Sequence, residues 1–446
     1  MIKIFVPFIF NKLSYTINYV FFDRLGLEYI VEVSDRLEFE ILVLNSYSKK
    51  EIRFPLSLWD SELGELKVNE ILALEDVCYL PGNRDVPVIQ LEKRSIEKIT
   101  DVDVFGFIFF MLSRVEELNK EKLDEHQRFP AKESFAFKHK FLNFPVVDWY
   151  IELIVKELQS IDVYCKKKNI FTMLISCDVD YPTEYYLHSF KLLFRKIFVS
   201  LVKERKLTFS ISLAIRFILS KIGGSPKDLF TENIRYIMNV NEKNGNRVIF
   251  YFIPHNTSTL DSNLSIRSDE VLKLCDEIRG RGHLLGIHPS YESTHHKSIF
   301  EANIISFKNS EAFRAGEELH CRTHFLKWDV LNTPEWLESN NINIDSSIGY
   351  ADLSGFRCGT CHPFKLYDLK NDRATTVNEF PLICMDASIL SNKYEGLNDY
   401  DKAWERTNFL KEQCRQVGGT FTLLWHNSSF ENQFEKKLYE KITKAD

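Results

Sequence analysis

Apolar runs that break off into reactive side chains recur along the C-terminal half of the chain. Phe171-Thr172-Met173-Leu174-Ile175 reads as a buried parallel strand, short, apolar and partly branched, and it runs out into Ser176-Cys177-Asp178-Val179-Asp180. Asp178 and Asp180 flank Val179, so an extended backbone turns both carboxylates to one face. Two acids there repel unless a cation or a shared proton intervenes, which suits a metal-binding carboxylate beside a general base. An Asp-rich turn before Pro182 is the plainer reading of this motif taken alone.

The same grammar returns downstream. The run from Arg247 to Ile253 ends in Pro254-His255-Asn256, and Leu284-Leu285-Gly286-Ile287 ends in His288-Pro289-Ser290-Tyr291. Cys321-Arg322-Thr323-His324-Phe325 is short and carries a cation and an imidazole; Asn341–Ile344 leads into Asp345, and Thr420–Trp425 into His426-Asn427. Helix-like segments lie between, such as Asp269–Arg279 with Gly280 as its stop. Strand–helix repeats with reactive strand ends predict an α/β fold, a parallel (β/α) barrel with its site on the C-terminal face. A doubly wound sheet would alternate alike, but no strand precedes a glycine-rich phosphate-binding turn.

From about Phe171 onward the chain resembles the polysaccharide deacetylase (NodB-like) superfamily, carbohydrate esterase family 4, in a branch with an extra N-terminal domain. The resemblance implies a deformed barrel of the NodB type. It makes Asp178 the general base and Asp180 a metal ligand. Gly282-His283-Leu284-Leu285-Gly286-Ile287-His288-Pro289-Ser290-Tyr291-Glu292 matches the first half of the second family motif, placing a histidine ligand at His288. Glu292 stands where that motif has its second histidine. Two residues can take the vacated place: Glu292, since a carboxylate oxygen is an acceptable zinc donor, or His324. In Arg322-Thr323-His324 the arginine matches the family residue that holds the catalytic aspartate, and His324 replaces the usual proline. His324 is the favoured third ligand, the alternative being an imidazole hydrogen-bonded within the barrel wall. Leu424-Trp425-His426 matches the last motif, whose histidine protonates the departing amine. The expected metal is zinc, although carboxylate-rich sites accept other divalent ions. Asp345 and Arg357, in polar loops expected on the same side, are candidates to orient His426 or touch sugar.

At 446 residues the chain exceeds one ordinary domain. Residues 1–165 read as a mixed α/β accessory domain and 166–446 as the barrel. Within the former, Leu37–Val43 has strand character, Ile96–Ile99 and Val104–Leu112 look helical or buried, and Val146–Leu158 is a bridging helix. The absence of a Pro/Gly/Ser-rich linker predicts a packed interface.

The balance of 57 basic and 63 acidic residues, a net charge of −6, excludes nucleic acid as the principal partner. The first ten residues lack the layout of a signal peptide, and nine scattered cysteines suit free thiols, so a cytoplasmic protein is expected. Cys358-Gly359-Thr360-Cys361-His362 is a lone CxxC and reads as coincidence. Between Lys191 and Lys221 eight Lys/Arg accompany a single Glu among many apolar residues. That stretch is either a solvated helical excursion or an amphipathic surface for peripheral contact with the inner membrane and a lipid-linked glycan precursor.

The function expected is metal-dependent removal of N-acetyl groups from a sugar in a polysaccharide or glycan precursor. The rival is a catalytically inactive glycan-binding or assembly protein, favoured by the missing second histidine. Another carbon–nitrogen hydrolase, acting on cyclic amides, is a third.

Overall fold

The computed structural model describes residues 2–445 apart from 36, 38, 63, 83, 92–94, 120–121, 166, 168, 185–189, 203–206, 222–227, 262–263 and 431. Near the N-terminus β1 (Ile2–Val6), β2 (Tyr29–Val33), β3 (Glu40–Asn45) and β4 (Glu51–Pro55) form a sheet in the order β2-β1-β3-β4. β1 buries Ile2, Ile4 and Val6 at every second position, as one core-facing side of a strand demands. A hairpin of β5 (Cys78–Leu80) and β6 (Val86–Val88) follows. The strand expected over 37–43 lies at β3, later by a few residues, and Ile96–Ile99 gives only a 3-10 turn over Ile99–Asp101. The helix Val104–Ser113 is apolar on all sides and every one of its residues is buried. Asp103 caps it by accepting from the Gly106 N–H at 2.8 Å.

The second sheet has nine strands. They are β7 (Thr172–Val179), β8 (Val248–Phe252), β9 (Leu284–Ile287), β10 (His320–Cys321), β11 (Ile344–Asp345), β12 (Phe364–Asp368), β13 (Arg373–Glu379), β14 (Cys384–Met385) and β15 (Thr420–Leu424). Their order is β12-β13-β11-β10-β9-β8-β7-β15-β14, all pairs parallel except β12–β13. The sheet curls as a barrel does but remains open, since among the described residues β12 and β14 are its two edges. The helix Asp269–Gly280 runs through Gly280 and stops at Arg281, with Gly282 taking the left-handed turn at φ +84°.

One apolar core runs through both sheets. Phe109, on the helix Val104–Ser113, meets Tyr367 of β12 edge-on at 5.1 Å. Buried charges cross the same boundary. Arg357 binds Glu117 through Nε–Oε1 at 2.9 Å and Nη2–Oε2 at 2.5 Å, while Arg114 holds Glu117 and Glu116. Burial alone would raise the Glu117 pKa, but Arg357 and Arg114 outweigh it and hold the carboxyl below its usual range. Arg357 therefore joins the two halves and does not orient His426. Asp148, on the helix Val146–Ser160, likewise accepts from Arg24, from Thr360 Oγ1 at 2.8 Å and from the Cys361 N–H at 3.0 Å. Asp148, Cys361 and His362 are close enough to share a metal. That carboxylate is already neutralised by Arg24, however, and His362 Nε2 lies 3.1 Å from the Val417 carbonyl, so the group reads as a structural joint.

Removing one partner of a buried ion pair strands the other charge. Glu117→Ala is accordingly expected to cost about 3–5 kcal/mol in urea unfolding. Glu32→Ala, which breaks the half-exposed Lys3 pair, should cost under about 1 kcal/mol.

Candidate active site

Five adjacent parallel strands, β15, β7, β8, β9 and β10, bring their C-terminal ends to one edge, where open α/β sheets place their ligand sites. Asp178 is the penultimate residue of β7 and Asp180 follows its end. His288 follows β9, its N–H donating to the Phe252 carbonyl at 2.8 Å; Arg322 follows β10, its N–H donating to the Ile287 carbonyl at 3.0 Å. His426 stands two residues beyond β15.

Asp180, His288 and His324 form one group whose possible ligand atoms all lie within 4.8 Å of one another. His288 Nε2 and His324 Nε2 are 3.4 and 3.5 Å from Asp180 Oδ1. Glu292 is outside this group, and its N–H donates to Thr257 Oγ1 at 3.3 Å. Asp180 Oδ1 and His324 Nε2 are buried without a hydrogen-bond partner. The remaining ring nitrogens are engaged: His288 Nδ1 at the Arg322 carbonyl (2.5 Å), His324 Nδ1 at Asp261 Oδ1 (2.8 Å). Protonation of both at Nδ1 leaves each Nε2 lone pair facing Asp180, the tautomer a metal requires. Two imidazoles and a carboxylate, with two inward atoms otherwise unsatisfied, fit a zinc-like divalent ion.

Arg322 is fully buried. Its Nη2 donates to Ser346 Oγ at 2.9 Å, its guanidinium lies 4.9 Å over the Tyr251 ring, and Nη1 is 3.6 Å from Asp178 Oδ1. Gly286 faces Tyr251 in register across β8–β9, and a Cβ there would stand 2.4 Å from the tyrosine ring. Glycine at 286 thus makes room for the platform on which Arg322 rests. Asp345 and Glu379 are register neighbours on β11 and β13. Burial pushes both carboxyls up in pKa, Glu379 further because Asp345 faces it. Asp345 accepts from Ser347 Oγ at 2.8 Å and belongs to this buried pair near Arg322; it does not orient His426.

That task falls to Asp386. His426 Nδ1 is 2.7 Å from Asp386 Oδ1, the His426 N–H donates to Oδ2 at 2.9 Å, and His426 Nε2 lies 3.9 Å from Asp180 Oδ2. Burial would lower the His426 pKa, but Asp386 and then Asp180 and Asp178 raise it to about 10. The side chains of His426 and Asp180 keep 18 % and 20 % of their surface, whereas Asp178, His288, Arg322 and His324 keep 3 % or less. Solvent therefore reaches the site past His426 and Asp180.

The N-terminal half supports the site from behind. Phe325 and Leu326, directly after His324, take left-handed backbone conformations at φ +62° and +55°, costly for such side chains. Arg128 fixes that turn. It donates to the Phe325 carbonyl at 3.0 Å and to Tyr394 Oη at 3.1 Å, and is paired with Asp124 at 2.7 Å.

Asp261, Asp386 and Arg128 were not singled out by sequence reasoning. Asp386 had a signal, because Leu382-Ile383-Cys384-Met385 is another apolar run ending in an acid. Asp261 sits in a polar loop without periodicity, and Arg128 lies 197 residues from the carbonyl it holds.

Residues 2–162 match a family of unknown function, DUF7033. A solved structure of a provisionally assigned polysaccharide deacetylase from Mycobacterium smegmatis is similar over 63 % of this chain and 85 % of that one. The identity is 12 % and the TM-score 0.39. No curated protein matches the chain.

In metal-free protein, burial would lower the His324 pKa, but Asp180 and Asp261 outweigh it and raise it to about 9. A histidine raised in the fold contributes stability that is complete below pH about 6.5 and is lost as pH rises through about 9. Imidazole NMR on stripped protein should find this titration, with urea midpoints falling over the same window. Asp261→Asn should move the titration down; an unmoved one would mean that the His324–Asp261 contact does not form in solution.

Proposed function

We propose that the chain is a metal-dependent hydrolase of the NodB-like polysaccharide deacetylase type, removing the N-acetyl group from a sugar in a glycan or glycan precursor. The observation that carries this reading is the convergence of Asp180, His288 and His324, with Asp178–Arg322 and His426–Asp386 around them. Asp180, His288 and His324 would hold the ion, zinc by donor set. When bound, it supplies Lewis acidity that polarises the amide carbonyl and acidifies a water.

The chain's own residues supply the proton transfers. Asp178 accepts the proton of the attacking water, and the buried Arg322, with Nη1 3.6 Å from Oδ1, orients that carboxylate. His426 delivers a proton from Nε2 to the departing nitrogen, while Asp386 holds Nδ1 and stabilises the imidazolium. Asp386, the largest cause raising the His426 pKa, favours the protonated acid.

Calorimetry on stripped protein should find one zinc per chain. Asp180→Ala and His288→Ala should abolish binding, and His324→Ala should weaken it. Asp178→Asn should retain zinc yet lose acetate release from N-acetylated oligosaccharides by roughly 10²–10⁴-fold. No zinc uptake by the wild type would sink the hydrolase reading. Zinc uptake without acetate release from any acetylated sugar would favour a non-catalytic glycan-binding protein.

A further inference from the structure

Between β7 and the helix Leu229–Lys243 the chain makes an excursion of two helices, Phe190–Val202 and Leu207–Lys221. Each carries two apolar stripes. The inner ones, Leu193 and Ile197 on the first helix and Leu213 and Phe217 on the second, meet in a small core with Phe230, separate from the main core. The outer ones are Phe190, Phe194, Phe198, Leu201 and Val202 on the first helix and Ile211, Ile215, Ile218 and Leu219 on the second. These nine side chains are 41–67 % exposed. Their spacing is that of a helix face made to be buried, with no covering element among the described residues.

The excursion is tied to the candidate site. Glu184, four residues after Asp180, is fully buried and binds Arg216 of the second helix, Oε1 to Nη1 at 2.7 Å. Asn427, next to His426, donates through Nδ2 to the Tyr181 carbonyl at 2.9 Å. The second helix is thus anchored to the segment that follows Asp180, which is itself bonded to the neighbour of His426.

We infer that this helical hairpin docks on an anionic lipid surface and brings a lipid-linked, N-acetylated saccharide to the site. Charge chooses the occupant. In a chain of net charge −6, Lys191–Lys221 holds seven Lys/Arg besides the Glu184-bound Arg216, against one Glu, and Lys191 and Arg195 are exposed between the phenylalanines of the outer stripe. Cations interleaved with large apolar side chains suit anionic headgroups above acyl chains. Helices of 13 and 15 residues are too short to cross a bilayer, so they lie in its interface. The saccharide part of the inference rests on the deacetylase reading above; the lipid surface does not.

The test is flotation of the full chain with phosphatidylcholine vesicles, with and without phosphatidylglycerol. Binding to the anionic vesicles should exceed that to neutral ones by at least about tenfold and fall with salt. Phe194→Gln with Phe198→Gln, and separately Lys191→Glu with Arg195→Glu, should each lose most of that binding while zinc affinity stays at the wild-type value. Equal or absent binding to both vesicles overturns the lipid surface, whatever zinc calorimetry reports. So does a concentration-dependent dimer in sedimentation that the phenylalanine variant dissolves, which would make a second copy the occupant. Vesicle binding with no faster acetate release from a lipid-linked acetylated sugar than from a soluble one overturns the saccharide part. No acetate from either would fault the deacetylase reading instead.

Discussion

Two carboxylates leave one strand end side by side, and the surroundings are arranged to carry their charge. Asp178 and Asp180 face a ring of groups that are or can become cationic: Arg322, His288, His324 and His426. Behind that ring stand further acids, Asp261 at His324, Asp386 at His426, and the Asp345–Glu379 pair near Arg322. Charges so alternated each keep a counter-charge at short range, which is how buried ions escape the cost of desolvation. The outermost pair breaks the alternation, and its raised pKa values are how neutralisation by proton replaces neutralisation by partner.

Much of the site was legible because strand ends announce themselves. Apolar runs stopping at Asp, His or Arg were found at β7, β9, β10 and β15, and parallel pairing brings such ends to one edge. What escaped was whatever depends on contacts between distant segments. Asp386 orients His426 across 40 residues and Asp261 orients His324 across 63, at spacings no periodicity encodes. Arg357 reads from its loop as a site residue for the same reason: its partner, Glu117, lies in the other half of the chain. The curl of the sheet follows from the alternation of strands and helices, but its openness does not, since an apolar run marks a strand such as β11 or β14 without saying which neighbours it pairs with.

The N-terminal half contributes more than bulk. Its helix Val104–Ser113 is apolar on every face, so it has no stable existence away from the core it shares with β12. Through Arg128 it also constrains the left-handed turn after His324, so the geometry of the site is set partly by residues that never face it.

Glu117 and Arg357 are 240 residues apart. During synthesis the N-terminal half emerges long before its buried counter-charge exists, and Glu117 must meanwhile rely on Arg114. Closing so long a loop is entropically slow compared with local helix formation. The two halves should therefore mature together only once Arg357 has emerged, and an arrested chain that stops short of it would present exposed core to whatever binds nascent apolar surface.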